Sequence, residues 1–237
     1  MDDSTPIPVV DRAVRLQVLA LQNGTLLAHR TQLWSDAAGR ATMYLAVLSG
    51  SVVALALAAQ ATAFGQGFFV FALLLLPVVL YAGLVTVGRI TELNNEDFRI
   101  VQGLNRVQHG VLELDPASEP YLASSPFDDW QGLSFTFGVD EGVSARAGLI
   151  HGLRTLPALF AVINCSVAAI LTAIIAIELS LPSAVVIGAG LVVFVAMFVL
   201  QLRSGLKSVA VVRRDLVSLF PSPTRTPTDG EPEQPAD

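Results

Sequence analysis

The chain has 237 residues, 53% of them hydrophobic and only 14% charged, with a formal net charge of −6 and mean hydropathy of +0.61. A soluble domain of this size carries about 25% charged residues, so the polar surface needed to cover a core is missing. A single cysteine, Cys165, excludes a disulfide scaffold, and the acidic balance without a basic cluster argues against a nucleic-acid partner.

The N-terminal segment, 1–40, reads as an amphipathic helix. Leu16, Leu19, Leu26, Leu33 and Ala37 recur at helical spacing, with Asn23 and Arg30 on the same stripe. Its polar length before the first apolar run is unlike a cleavable signal peptide, so the first span is expected to act as an uncleaved anchor. The stripe fits either a protein bundle or the surface of the inner leaflet.

A first transmembrane hairpin is predicted over 41–88, with spans at about 41–63 and 68–88. Each has the length needed to cross a hydrocarbon core of about 30 Å, and neither contains Asp, Glu, Lys, Arg or His. Thr42, Ala46, Gly50, Ala54, Ala58 and Thr62 form a small-residue ridge at every fourth position, a device that lets another helix approach closely. Pro77 falls inside the second span, where a kink is expected.

The segment 89–154 is predicted as a cytoplasmic helix followed by an aromatic and acidic loop. Ile90, Leu93, Ile100, Leu104, Val107, Val111 and Leu114 make a helical stripe on which Asp97 also falls, and Pro116 ends it. Asp97 could meet Arg30 or Arg213 if the predicted stripes pack together. Beyond Pro116 lie Asp128-Asp129 and the aromatic group Phe127, Trp130, Phe135 and Phe137. That aromatic content predicts packing on the helices or the headgroup layer.

A second hairpin is predicted over 155–202, with spans at about 155–177 and 183–202. Ala161, Cys165, Ala169 and Ala173 repeat the small-residue ridge, and Ala184, Gly188 and Ala196 give a shorter one. Asn164 is expected near the bilayer midplane, where its amide needs a partner; it could line a ligand site or join two helices. Pro157 sits where it would start a helix. An amphipathic cytoplasmic helix over 203–220 follows, with Leu202, Leu206, Val209, Leu216 and Phe220 on its stripe and Pro221 as its stop. The 221–237 tail, rich in Pro, Thr and acids, reads as disordered.

The fourteen Lys and Arg residues fall in the N-terminal arm, the central loop and the tail, while both short connections between spans have none. The positive-inside rule then places both termini and the central loop in the cytoplasm, and thirteen Arg against one Lys suggests a GC-rich bacterial genome, hence an inner membrane. The absence of buried ionisable groups in the spans disfavours an ion-coupled carrier. His109, Asp128, Asp129 and His151, with Asp140 and Glu141, are the residues that could bind a metal or exchange protons. No ligand spacing such as HExxH accompanies them, so no catalytic, cofactor or metal site is assigned.

Asn105-Arg106-Val107 with His109, then Leu112-Glu113-Leu114, Pro116, Tyr121 and Asp128-Asp129, resembles a group of actinobacterial four-span integral membrane proteins. The resemblance implies a cell-membrane protein with two hairpins and carries over no activity or cofactor. The expected class is therefore all-α and polytopic, a helical assembly or scaffold in the lipid bilayer. It would form homo-oligomers through its small-residue faces and offer a cytoplasmic surface to a protein partner. A small pore or membrane-perturbing effector is the alternative, an analogy at the level of architecture, and a membrane-bound metal-dependent enzyme is the third. Asn105, Arg106, His109, Asp128, Asp129 and Asn164 are the candidate functional residues.

Overall fold

The structure, a computed structural model, describes residues 9–138 and 155–223. Asp140, Glu141, Arg146, His151, Arg154, Arg225 and the tail beyond 223 lie outside the described residues. The described chain forms helices α1 (Val9–Thr62), α2 (Gln66–Leu114), α3 (Trp130–Thr136), α4 (Leu156–Glu178) and α5 (Ser183–Asp215), with a 3-10 helix at Pro116–Tyr121. No strand occurs among the described residues. Four of the helices are long and apolar enough to cross a membrane, which makes the chain a multi-pass helical membrane protein.

The arm and the first span are one helix. No proline occurs between residues 9 and 62, and α1 runs unbroken for 54 residues. At 1.5 Å per residue it reaches about 80 Å, well over twice the thickness of a hydrocarbon core. Helix α2 is almost as long, 49 residues, and continues through Pro77 without interruption. Both helices therefore project beyond the apolar spans as a paired stalk at the end that carries the charges.

A tight turn sets the register of that pair. Ala63 and Phe64 take positive φ angles of 45° and 59°, and Phe64 N–H reaches back to the Ala59 carbonyl. From this turn the helices run antiparallel. Tyr44 meets Gly83, Arg30 meets Asp97, and the Leu26 and Leu19 side chains seat on Gly103 and Gly110. Each of these pairs lies nearly equidistant from the turn. Leu19, Asn23, Leu26, Arg30, Leu33 and Ala37 alternate three and four apart on the covered side of α1. Opposite them Leu93, Ile100 and Leu104 are buried, so the stalk is an antiparallel coiled coil.

The same seam continues into the apolar region through Ala41, Tyr44, Leu48, Ser51, Leu55 and Ala59. There α2 is central, with α1 on one side and α4 on another, and α5 packs mainly on α4. Tyr44, Val79 and Phe160 fill the three-helix contact, with the two rings edge-to-face at 5.6 Å.

Two expectations change here. The first two turns of α4 lie lower than the sequence reading placed them. Leu156 and Pro157 line a cavity of about 160 Å³ together with Leu33, Ala37, Ile90, Leu93 and Asp97, all in the stalk. Asn164 therefore sits near the charged end of the spans rather than at the midplane, level with Tyr44 and Gly83. The second concerns the last helix. It stops at Asp215, so Leu216 and Phe220 are not on a helical seam, and Leu206 is 61% exposed. Residues 216–223 instead run without regular structure as a strap across α2.

Candidate functional site

Five candidate residues meet at the strap. On α2, Gln102, Asn105, Arg106 and His109 share one face, because residues three and four apart neighbour each other on a helix. Asn105 is fully buried and doubly used: its Nδ2 donates to the Phe127 carbonyl at 2.8 Å, and its Oδ1 accepts from Thr136 Oγ1 at 3.0 Å. That amide fixes both ends of the 127–136 segment to α2.

Asp129 starts α3. Its Oδ1 accepts from Gly132 N–H at 2.8 Å, a capping bond that satisfies an otherwise orphan donor of the first turn. Gly132 itself is required by close approach, since a Cβ there would overlap the Phe127 carbonyl oxygen. Behind α3 the aromatic group closes on the stalk. Phe98 stacks on Trp130 at 5.9 Å and leans on Phe137 at 4.9 Å, and Arg213 lies over the Trp130 ring at 5.3 Å. Phe135 takes no part and remains 69% exposed.

Asp128 holds the strap. It is fully buried, and its carboxylate accepts from Arg106 Nε at 2.7 Å, Ser218 Oγ at 2.7 Å, Phe220 N–H at 2.7 Å and Leu219 N–H at 3.0 Å. Asp128 N–H returns a bond to the Phe220 carbonyl. The Val217 carbonyl accepts from Gln102 Nε2 at 2.9 Å and Arg106 Nη2 at 2.7 Å. Farther along, Ser222 donates its N–H and its Oγ–H to Asp129, both at 2.8 Å. The His109 ring stacks on Phe220 with centroids 3.9 Å apart, while its Nε2 lies 3.6 Å from Glu113.

This geometry decides what the carboxylate can do. Burial pushes the Asp128 carboxyl up, but the bonds from Leu219, Ser218, Arg106 and Phe220 outweigh it and bring the pKa down to about 2. An acid this strong is a poor proton acceptor at neutral pH. Its two oxygens are also saturated with donors, which leaves no lone pair directed outward for a cation. His109 and Asp128 thus converge on one segment of chain and not on a shared ion.

Asn164 belongs to a different place. It is fully buried and accepts from the Tyr44 hydroxyl at 2.7 Å, while its Nδ2 has no partner in the structure. Gly83 permits this contact, because a Cβ there would overlap Asn164 Oδ1 and crowd the Tyr44 oxygen at 2.6 Å. The small-residue ridges divide into two kinds. Ala161 and Cys165 are buried under Gln201, whose Nε2 donates to the Ala161 carbonyl and to Sγ, and Ala169 faces Gly190. Ala46, Gly50 and Gly188 face outward, and Ala54 and Ala58 are half-buried.

Sequence reading missed Gln102, Ser218, Ser222, Tyr44, Gly83 and Gln201. Of these, Gln201 carried a signal, as a polar group inside an apolar run. For the two serines no local signal exists. No family model, curated protein or solved structure matches the chain.

Proposed function

We propose that the protein is a non-catalytic scaffold of a bacterial cell membrane, with the stalk, the strap and both termini in the cytoplasm. Its stalk would dock a protein partner. The observation that carries this reading is a second apolar stripe on α1. Val14, Val18 and Leu21 are 51%, 60% and 73% exposed, away from the coiled-coil seam and beyond the apolar span. The stripe lies about twenty residues and more before the apolar span, about 30 Å along the helix, and its four-and-three spacing fits an amphipathic partner helix. The distribution of cations supports the orientation, and the resemblance described above supports an actinobacterial host.

The test is crosslinking followed by affinity purification from the native host, with wild type compared against Val18→Glu and Leu21→Glu. Loss of a specific co-purifying protein from both variants is expected. An identical set of crosslinked proteins in all three samples would sink the reading.

Copies of the protein would associate through the outward ridges. A Cβ at Gly50 or Gly188 meets nothing within 4 Å and both positions are exposed, so a leucine there can extend away from the rest of the chain. Gly50→Leu and Gly188→Leu should shift the native mass in detergent while leaving the unfolding temperature close to that of wild type. An unchanged native mass would remove the oligomer from the proposal.

A further inference from the structure

The strap is fastened by the wrong kind of contact for a permanent join. Val217 and Leu219 are 68% and 60% exposed, and among the described residues Phe220 on His109 is its one ring contact. Besides the bonds that the Val217 and Phe220 carbonyls accept from Gln102, Arg106 and the Asp128 amide, what holds it is a set of hydrogen bonds onto two adjacent carboxylates, Asp128 and Asp129. Two of the donors are serine hydroxyls, Ser218 on Asp128 and Ser222 on Asp129. Negative charge placed at either hydroxyl would oppose the carboxylate that it now bonds.

We propose that Ser222 is a phosphorylation site, and that its modification detaches the strap from α2 and α3. Ser222 is the outer fastening. It lies between exposed Pro221 and Pro223 in a segment without regular structure, and among the described residues its own bonds run to Asp129 alone. Entry into an extended peptide groove breaks these first and then draws on Phe220 and Leu219. Ser218 is the inner fastening, bound to fully buried Asp128, and becomes reachable after the outer one opens.

The transfer needs a protein kinase and a nucleoside triphosphate. The Oγ–P bond forms as the β–γ phosphoanhydride breaks, the nucleoside diphosphate leaves, and the hydroxyl proton passes to the kinase's base. The product replaces a donor hydroxyl with a group of roughly −1.5 to −2 charge at neutral pH. That charge would face the Asp129 oxygens, now 2.8 Å from Ser222, with Asp128 beside them. Among the described residues, Arg106 is already engaged by Asp128 and the Val217 carbonyl, and Arg213 lies over the Trp130 ring. Repulsion follows, and Gln102, Arg106 and His109 lose their cover. The proposal stands apart from the partner stripe on α1, and either can fail alone.

The experiment uses the full chain in nanodiscs. Phosphopeptide mapping of protein from growing, starved and membrane-stressed native cells should find phosphate on Ser222; its absence under every condition overturns the proposal. Hydrogen exchange at the Leu219 and Phe220 amides should rise about tenfold or more on phosphorylation. Unchanged or slower exchange overturns it too, the latter meaning that a cation captures the phosphate. Ser222→Ala should stay protected in the presence of kinase and triphosphate. Asp129→Asn keeps a capping side chain for α3 and removes the facing charge. Its phosphorylated form should exchange more slowly than phosphorylated wild type, and equal rates would refute the repulsion.

Discussion

Arg30 and Asp97 meet in two-pronged contact across the stalk, Nε to Oδ1 at 2.8 Å and Nη2 to Oδ2 at 3.2 Å. Both occupy seam positions where their neighbours are aliphatic, and the Asp97 side chain is 3% exposed. A polar pair inside a coiled coil reinforces the register that the Ala63–Phe64 turn sets, because sliding either helix by one turn would bury both charges against leucine. Asp97→Ala leaves Arg30 facing an apolar seam and should lower stability by about 1–3 kcal/mol, the Arg30 side chain being partly solvated. The double variant Arg30→Leu, Asp97→Leu should recover most of that loss in thermal unfolding and lose definition of register. Disulfide trapping between cysteines at positions 23 and 104 against neighbouring registers measures the latter.

The strap responds to acid with a predictable sign. Asp128 titrates at about 2 in the folded protein against an ordinary value of 3.8, so its deprotonated form favours the clasped state. That contribution, about 2 kcal/mol, is complete above roughly pH 5 and fades as pH falls toward 2. Exchange at Leu219 and Phe220 should therefore accelerate across that window beyond the intrinsic rate. Asp128→Asn should accelerate it at pH 7 and flatten the pH dependence. A wild-type profile parallel to the variant's would contradict the assignment.

Gly83→Ala should destabilise the spans more than Tyr44→Phe does. The added methyl overlaps Asn164 Oδ1, so the helices must separate or the Tyr44 bond must break, at a cost of about 1–3 kcal/mol. Removing the hydroxyl alone forfeits one intramembrane hydrogen bond, worth about 0.6–1 kcal/mol. Unfolding in a mixed-detergent series ranks the two variants.

Orientation is checked by cysteine labelling in intact cells. Gln66 and Ser180 lie exposed at the two short connections, and single cysteines there should react with an impermeant maleimide. Ser125 is buried and unsuited as the opposite reporter, whereas Tyr121 is 85% exposed. Tyr121→Cys should react only after permeabilisation. Native Cys165 is buried and should contribute little background.

What the sequence disclosed and what it hid follow from the range of each contact. Hydropathy and three-four spacing are local properties, so the four spans and the seams of α1 and α2 were legible. The choice of Arg30 over Arg213 as the partner of Asp97 was not, since it depends on how far each residue lies from the Ala63–Phe64 turn. Leu216 and Phe220 continued a four-residue spacing by coincidence and were read as helix. The bonds that end the helix come from Gln102, Arg106 and Asp128, about ninety to more than a hundred residues away in sequence. Tyr44 and Gln201 were concealed because a phenol and an amide barely interrupt an apolar average.

The pairs nested about the Ala63–Phe64 turn have one more implication, for the order of assembly. Tyr44 and Gly83 are separated by a shorter loop than Arg30 and Asp97, and Leu19 and Gly110 by a longer one still. Once an inner pair has closed, each outer pair needs only a small additional loop, with correspondingly little loss of chain entropy. The two long helices would thus zip outward from the apolar turn, so that the stalk inherits its alignment from the spans. The strap comes last, because Ser218–Ser222 is synthesised after everything it fastens. A chain that ended before residue 217 would present a fully zipped stalk with its final closure missing.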